Sequence, residues 1–404
     1  MSRTINCPLH GHIDITPRMS MIIDTPEFKR LHNLRQLGAS YMVYPSANHT
    51  RFEHSLGVSH LGKILIESLQ KNQPNLNITD NLVELVQIAG LIHDIGHGPF
   101  SHLYDDHIRK KDQPEHEDRG IQIFKRIIKE YNIPISESEQ QIIVDMIVPP
   151  DDKKNNYLYQ IVANKQCSID VDKIDYIQRD CYHVGIGLSE KYDRLLTMCR
   201  VVEFNGNQVL AWPDKLQGEI VLLFETRYRL HRRVYNHRTV KACEYLIIDL
   251  LKGKNLDCGM YHSFISSIDS IALLPQNAEQ HNILKKLYMR NIPKMIGEHF
   301  ITSPRHTKEI HAKMTELVSE LDSRNIKHRG IMKLRIGFIS GNGKNPLKNV
   351  VYFKKNNVGF QKKHYDSFIV PKSCQEYIYR IYIEDFDENQ YKTSLSLWEQ
   401  KFRE

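Results

Sequence analysis

One segment, Leu91-Ile92-His93-Asp94-Ile95-Gly96-His97-Gly98-Pro99-Phe100-Ser101-His102, constrains this chain more than any other, because it sets imidazoles and a carboxylate directly after an apolar stretch. Upstream, Asn81-Leu82-Val83-Glu84 reads as a capping box, and Leu82, Leu85, Val86, Ala89 and Leu91 or Ile92 recur at helical spacing on one apolar face. A helix with that face is expected to be buried. Burying an imidazole beside a carboxylate costs about 2–7 kcal/mol for a single unpaired polar group, unless each is hydrogen-bonded, paired or coordinated. Gly96, Gly98 and Pro99 then break the helix, so the backbone can turn closely around whatever His93 and Asp94 hold. A metal ion is the reason this pattern predicts. An isolated His-Asp pair also occurs at surfaces and in satisfied cores, so the reading needs partners elsewhere in the chain.

The partners are His54, in Arg51-Phe52-Glu53-His54 on a second predicted helix, and Asp172, in Ser168-Ile169-Asp170-Val171-Asp172-Lys173. Two imidazoles with two carboxylates suit zinc, iron, manganese or magnesium, and leave positions open for water and a phosphate oxygen. Beside Asp172, residues Lys173, Tyr176 and Asp180 share one helical face. Facing a nucleotide, Lys173 would neutralise phosphate, Tyr176 would pack on or bond the sugar, and Asp180 would accept from a sugar hydroxyl. The same residues also fit a surface salt-bridge stripe. Arg227, His231 and Tyr235 repeat at i, i+4 and i+8, flanked by Arg232, Arg233 and Arg238. That positive face suits a triphosphate, and equally a nucleic-acid backbone. His116-Glu117 pairs an imidazole with a carboxylate, as acid/base work requires, although an exposed acidic loop would look the same.

The order His, His-Asp, distant Asp is the HD-superfamily pattern, which implies a metal-dependent phosphohydrolase. The stretches His10-Gly11-His12-Ile13, Ile22-Ile23-Asp24-Thr25-Pro26, Gln36-Leu37-Gly38, Arg51 to Gly57, His93 to His102, Ile169 to Lys173, Thr226-Arg227, Leu230 to His237 and Tyr288 to Asn291 resemble the catalytic core of the SAM and HD domain deoxynucleoside triphosphate triphosphohydrolases. The resemblance begins at about Arg3, without the SAM module, and weakens after about Ile301, where only Lys344-Asn345-Pro346 and the following strand-like segment match.

The resemblance implies a divalent metal (iron, manganese, magnesium or zinc) held by His54, His93, Asp94 and Asp172. It implies that His97 and His102 face the α-phosphate and leaving oxygen, that Asp105 orients His102, and that His116 and Glu117 support chemistry at the α-phosphate. Gln36 and Leu37 would touch the sugar edge and base; Arg51, Lys173, His231 and Arg227 would line the triphosphate, and Tyr235 would abut the sugar where a 2′-hydroxyl clashes. The products would be a deoxynucleoside and intact inorganic triphosphate. Family members of animal type form tetramers with guanine nucleotide and deoxynucleotide bound between subunits. By resemblance, a GTP or dNTP activator would contact Arg3, Asn6, Asp24, Arg233, His237 and Lys355, and the chain would form a homo-oligomer, dimer or tetramer. Here, however, Lys29 and His32 replace an expected glutamine and arginine, and Lys191 and Glu219 an expected acid and amide, so the activator and the need for one stay open.

At 404 residues the chain has ample length for a large core. The predicted class is mainly α: a helical HD-domain catalytic lobe over 1–300 with a small β-hairpin, then a smaller C-terminal α+β lobe over 301–404 as a candidate oligomer interface. The hairpin is read at Arg200–Phe204 and Val209–Trp212 around Asn205-Gly206-Asn207, and later strands at Ile331–Ile339, Asn349–Phe353 and Ile378–Ile383. Thr25-Pro26 is expected to start a helix that Gly38 stops. Loops are expected at Asn72–Asn77, Lys110–Pro114 and Pro149–Asn156. Lys plus Arg total 55 against 48 Asp plus Glu, and the resulting +7 fits polyanionic partners without singling one out. The seven cysteines lack C-x-x-C spacing, which favours free thiols in a reducing compartment. No apolar leader and no run near the ~18 apolar residues of a spanning helix is present, so an intracellular protein, cytoplasmic or nuclear, with no membrane partner is expected. Two further readings stay open on the residues alone: an HD phosphodiesterase or nucleotidase acting on other phosphoesters, and a non-catalytic nucleic-acid-binding protein using the basic helix.

Overall fold

The computed structural model describes residues 3–187, 191–254, 256, 265–302, 306–337, 345–354, 359–361, 370, 373–384 and 387–402. They form two compact units, the first Met1–Arg227, Asn255–Ala272 and Asn345–Val370, the second Tyr228–Lys254, Leu273–Lys344 and Pro371–Glu404. This is not a division at residue 300. The chain leaves the first unit inside one helix and returns twice, because later segments complete structures begun earlier.

In the first unit, β1 (Arg3–Cys7) and β2 (Gly11–Ile15) make an antiparallel hairpin with Arg3 opposite Ile15 and Cys7 opposite Gly11. Helix α1 (Pro17–Ile23) is capped by Thr16, and α2 (Pro26–Lys29) by Thr25, which accepts from Phe28 N–H. The helix expected to run to Gly38 is shorter: it tightens into a 3₁₀ turn at Arg30–Asn33 and becomes extended at Leu34. Gly38, at φ +49°, instead opens a separate 3₁₀ turn, Gly38–Met42, with its Cα hydrogens against the Phe100 carbonyl, 3.2 Å from where a Cβ would stand.

Two long helices form the centre of the unit: α3 (Arg51–Asn72) and α4 (Asp80–Ile92). Their backbones approach closely at Gly90, where a Cβ would lie 3.0 Å from the Ser59 backbone. From Leu85 to Ile92 every residue of α4 is buried, as its apolar face requires. Its cap differs from expectation. Thr79 accepts from Leu82 N–H, while Asn81 and Glu84 both bond Arg18, because an ion pair to a neighbouring helix outcompetes a local cap. Then follow α5 (His102–His107), α6 (His116–Glu130), α7 (Glu137–Ile147), α8 (Val171–Val184) and α9 (Asp193–Thr197). Asp170 caps α8 by accepting from Lys173 N–H, and Gly185 ends it at φ +69°.

The expected hairpin is β3 (Arg200–Phe204) and β4 (Asn207–Pro213), joined by Asn205 and Gly206, both at positive φ as a two-residue turn of this kind demands. Helix α10 (Gln217–Leu230) carries the chain across the boundary between the units, and α11 (Arg238–Leu251) follows. The later strands are β5 (Lys294–Ile301), β6 (His328–Gly337), β7 (Val351–Phe353), β8 (Gly359–Gln361) and β9 (Gln375–Ile383). β7 pairs in parallel with β4, so the hairpin is half of a four-stranded sheet ordered β3-β4-β7-β8, an association no hairpin rule reveals. The second unit holds an antiparallel sheet ordered β5-β9-β6 with helices Thr307–Ser323 and Glu388–Phe402 around Met314, Leu317, Leu321, Tyr379 and Trp398. The class is thus mainly α with a smaller α+β part. Among the described residues the cysteines are free thiols, and no helix is long and apolar enough to cross a membrane.

Candidate metal and phosphate site

Three helical ends bring the metal-ligand candidates together. His54 stands in the first turn of α3, His93 and Asp94 just after α4, and Asp172 in the first turn of α8. His54 Nε2 is 3.1 Å from Asp172 Oδ1 and 3.5 Å from Asp94 Oδ2; His93 Nε2 is 3.4 Å from each of the same oxygens. Donor atoms bonded at about 2.1 Å to one ion sit about 3.0 Å apart along an octahedral edge and about 3.4 Å along a tetrahedral one. The four spacings match such edges, and His54, His93 and Asp94 gather donor atoms that could hold one ion, with Asp172 beside the two histidines.

Two further observations agree. His93 Nδ1 donates to the Gly90 carbonyl at 2.8 Å, which leaves the buried Nε2 as the nitrogen turned to the Asp94 and Asp172 oxygens, the one free to take an ion. The electrostatics also call for a cation. Burial alone would lower His54, but Asp172 and Asp175 outweigh it and hold it up at about 9; burial is likewise outweighed at His93, chiefly by Asp94 and Asp172. Against burial, Arg51 and His93 hold the Asp94 carboxyl far below its ordinary range, and His54 and His93 do the same for Asp172. An ion takes the place of the ring protons on binding. Asp172 is the open side of the cluster, its side chain 35% exposed.

Behind His54 lies a support that motif reading left without a role. His54 Nδ1 donates to Asp175 Oδ2 at 2.8 Å, and Asp175 Oδ1 is 2.6 Å from His10 Nε2. Arg179, fully buried, donates through Nε and Nη2 to the same carboxylate, each at 2.9 Å. Such a carboxylate fixes the tautomer and orientation of a ligand imidazole. Gly57 makes room for it: a Cβ there would stand 1.9 Å from Asp175 Oδ1. The available signal was the spacing Asp172, Asp175, Arg179 on one helix.

On the other side, Arg51 bridges Asp94, through Nη1, and Ser101 Oγ, through Nε at 3.0 Å. The His97 and His116 rings stack at 4.0 Å, and His102 meets them edge-on at 5.2 and 5.8 Å. His97 Nε2 is 3.2 Å from Asp94 Oδ1, so Asp94, His97 and His116 also gather donor atoms that could hold an ion. Asp105 takes Arg119 Nη2 at 2.7 Å and faces His116 Nδ1 at 3.5 Å and His97 Nδ1 at 3.7 Å. These contacts run to the stacked pair, where the sequence assigned Asp105 to His102. Glu117 Oε2 lies 3.2 Å from His116 Nδ1. Burial, then His97, pushes His116 down to about 2. His102 is exposed, yet desolvation of its ring, then His97 and Arg51, pushes it down to about 3. Both are neutral imidazoles near pH 7.

Along α8, Lys173 Nζ lies 3.5 Å from Asp170 and 5.8 Å from the Tyr176 ring, and Tyr176 Oη accepts from Arg227 Nε at 3.3 Å. Asp180 is 1% exposed and hydrogen-bonded to His49. Gln36 and Leu37 are half-buried in the loop before Gly38. His231 and Tyr235 belong to the second unit. There the α-helix gives way to a π turn, His231–Tyr235, so i, i+4, i+8 spacing is not one α-helical face, although the two rings meet at 4.8 Å.

Of the activator candidates, Arg3 pairs with Asp24 at 3.1 Å and Lys29 with the same carboxylate at 3.5 Å. Asn6 and Arg233 are exposed, and His237 caps α11 by accepting from Thr239 N–H. Lys355 lies outside the described residues. Glu219, at the position of an expected amide, pairs with Arg194.

The HD domain family matches residues 51–180, which span the ligand set. Over nearly the whole chain the sequence is similar to deoxynucleoside triphosphate triphosphohydrolase SAMHD1 of Bos taurus, 32% identical over 96% of this chain and 76% of that protein, and of Homo sapiens, 33% over 95% and 71%. It is also similar to the SAMHD1 homolog of Dictyostelium discoideum, 30% identical over 94% of this chain and 77% of that protein.

Proposed function

The chain belongs to the SAMHD1 family of deoxynucleoside triphosphate triphosphohydrolases, and from that premise we propose that it converts a deoxynucleoside triphosphate and water into a deoxynucleoside and inorganic triphosphate in a metal-dependent reaction. The observation that carries the reading is the convergence of His54, His93, Asp94 and Asp172 beside neutral histidines and the cations Arg51, Lys173 and Arg227. A divalent ion held by that set supplies Lewis acidity at the α-phosphate.

The side chains do the rest. Arg51, Lys173 and Arg227 offset phosphate charge that concentrates as the P–O5′ bond breaks. His97 contacts the α-phosphate, and Asp105, with Glu117, orients the stacked His97 and His116. The attacking water's oxygen becomes bonded to phosphorus as the P–O5′ bond breaks, one of the water's protons passing through a neutral imidazole to the departing 5′-oxygen and the other to solvent. His102 or His116 is that imidazole. Each is neutral in the free protein, so the phosphate chain's own negative charge is what makes protonation of the ring favourable once substrate is bound. Gln36, Leu37, Tyr176 and Asp180 address the sugar and base, His231 the phosphates, and Tyr235 the 2′ position, which favours deoxyribose. Arg3, Asn6, Asp24, Arg233, His237 and Lys355 are the candidate contacts for a GTP or dNTP activator in a homo-oligomer.

The test is chromatographic product analysis with each deoxynucleotide and ribonucleotide, with Mn²⁺, Fe²⁺ or Mg²⁺, with and without GTP. Triphosphate release that disappears in His93→Ala or Asp94→Ala is expected. Release of orthophosphate or pyrophosphate without triphosphate overturns the reading.

A further inference from the structure

Arg119 has no part in the steps above, yet it ties together the segments that carry His97, His116 and Asp105. It is 2% exposed and stands in the first turn of α6. Each nitrogen of its guanidinium has a separate partner. Nε donates to the Gly96 carbonyl at 3.0 Å, Nη1 to the Pro114 carbonyl at 2.7 Å and Nη2 to Asp105 Oδ1 at 2.7 Å. The backbone at Gly96 is already as close to α6 as a chain allows. A Cβ there would stand 2.0 Å from the His116 carbonyl oxygen and 2.5 Å from Gly120 N, so the turn leading to His97 lies flat on the start of the helix. One guanidinium therefore fastens the backbone beside both stacked rings and the carboxylate that faces them.

With Oδ1 taken, Asp105 has one oxygen left for the rings. Oδ2 faces His116 Nδ1 at 3.5 Å and His97 Nδ1 at 3.7 Å, longer than a formed hydrogen bond, as catalytic contacts commonly are before substrate binds. Glu117 offers His116 a second carboxylate, whereas Asp105 is the only one beside His97 Nδ1 among the described residues. A competing cation is near: Arg109 Nε lies 3.8 Å from the same Oδ1. Without Arg119, closing that gap to a hydrogen bond of about 2.9 Å would shift the carboxylate by on the order of 1 Å and unseat Oδ2 from its place against the rings.

Resting on the functional reading above, we propose that Arg119 is the positioning residue of the His97–His116 pair, holding Asp105 with one oxygen turned to both rings and locking the Gly96 turn onto α6. Arginine's planar fork meets three spread acceptors at once, which the point charge of a lysine ammonium does not. Its effect belongs to the chemical step and not to ion binding, because none of its contacts is with His54, His93, Asp94 or Asp172.

The experiment measures kcat, KM and Mn²⁺ affinity on the whole chain. Arg119→Lys should lower kcat about 10-fold and Arg119→Ala about 100-fold, the scale of a 1 Å misplacement, with KM and Mn²⁺ affinity unchanged. Guanidinium ion, too dilute to unfold the protein, should restore most of the loss in Arg119→Ala, and sodium chloride at equal ionic strength should not. With Asp105→Asn in place, adding Arg119→Lys should cost nothing more, because the arginine acts through that carboxylate. Should Arg119→Ala fail to fold by circular dichroism, Arg119→Lys and its combination with Asp105→Asn decide. A wild type without triphosphate release defeats the functional reading itself. With an active wild type, the role of Arg119 is defeated by full kcat in Arg119→Lys, by Mn²⁺ affinity that falls in step with kcat, by a folded Arg119→Ala that guanidinium does not speed, or by a full further loss when Arg119→Lys joins Asp105→Asn.

Discussion

Asp175 is the residue on which the candidate ligand set depends most, although it is not itself one of those four. It accepts from His54, His10 and Arg179 with no exposure to solvent, so its charge is fully compensated and its position fixed from three directions. Removing one partner of a buried ion pair leaves the other uncompensated, at about 3–5 kcal/mol. Asp175→Asn should therefore lower stability and, in the protein that remains folded, weaken metal binding about 10- to 100-fold, the usual effect of losing a ligand's outer carboxylate. Competition titration against a chelating dye checks this; wild-type affinity in the folded variant would refute the support role. The four candidate ligands stood out in the sequence because histidine and aspartate in an apolar context demand a partner. Asp175 was legible only as a position on one helical face with Asp172 and Arg179; that His54 and His10, more than a hundred positions away, meet it there left no local trace.

Among the elements, α7 shows how a local signal and a tertiary one reinforce each other. Ser136 and Glu139 form a capping box, and Glu139 also receives Arg18 from α1 at 3.1 Å and Asn81 from α4 at 3.0 Å. Ser136 N–H and its hydroxyl, then Asn81 and Arg18, draw the Glu139 carboxyl down to about 2. A carboxylate whose folded pKa is depressed contributes stability above its unfolded value, about 4.3, and loses that contribution as pH falls toward the folded value. Glu139→Gln should thus cost about 1 kcal/mol at pH 7, the scale of a capping interaction, and the gap from wild type should close as pH drops from about 4.5 toward 2 while the protein stays folded. Urea unfolding midpoints across that range measure it, and a pH-independent gap would show that charge is not the cause. The same pair of forces explains the misread cap of α4: Asn81-Leu82-Val83-Glu84 satisfies the local pattern, but Arg18 and Thr16 claim Glu84. Helix spans and the β3-β4 turn followed from periodicity and positive-φ residues. The parallel β4-β7 pairing joins segments too distant for any periodicity to register.

At the scale of the whole molecule, the sequence's linear lobes fail because compactness is not ordered along the chain: Asn255–Ala272 and Asn345–Val370 return to the first unit. The return of the former has a function visible in its contacts. Asp269, 1% exposed, accepts from Phe100 N–H at 2.8 Å and Arg35 N–H at 3.0 Å, so it clasps the loop after His97 to the loop that carries Gln36. Phe100 and Ser101 both sit at positive φ there, a conformation non-glycine residues hold only when surroundings impose it. The candidate metal ligands repeat this logic at larger range, since α3, α4 and α8 each have one end at the same cluster. An ion bound by all of them adds a free energy of RT ln(1 + [M]/Kd), about 2.7 kcal/mol at a hundredfold excess over Kd. That energy belongs only to states in which the three helices are docked. Adding Mn²⁺ should therefore slow amide hydrogen exchange in α3, the C-terminal half of α4 and the first turns of α8 together, while strands β5, β6 and β9 of the second unit keep their rates. A chelator should reverse the protection and His93→Ala should prevent it. Protection confined to one helix, or spread equally over both units, would mean that the ion does not tie these three ends into one cooperative site.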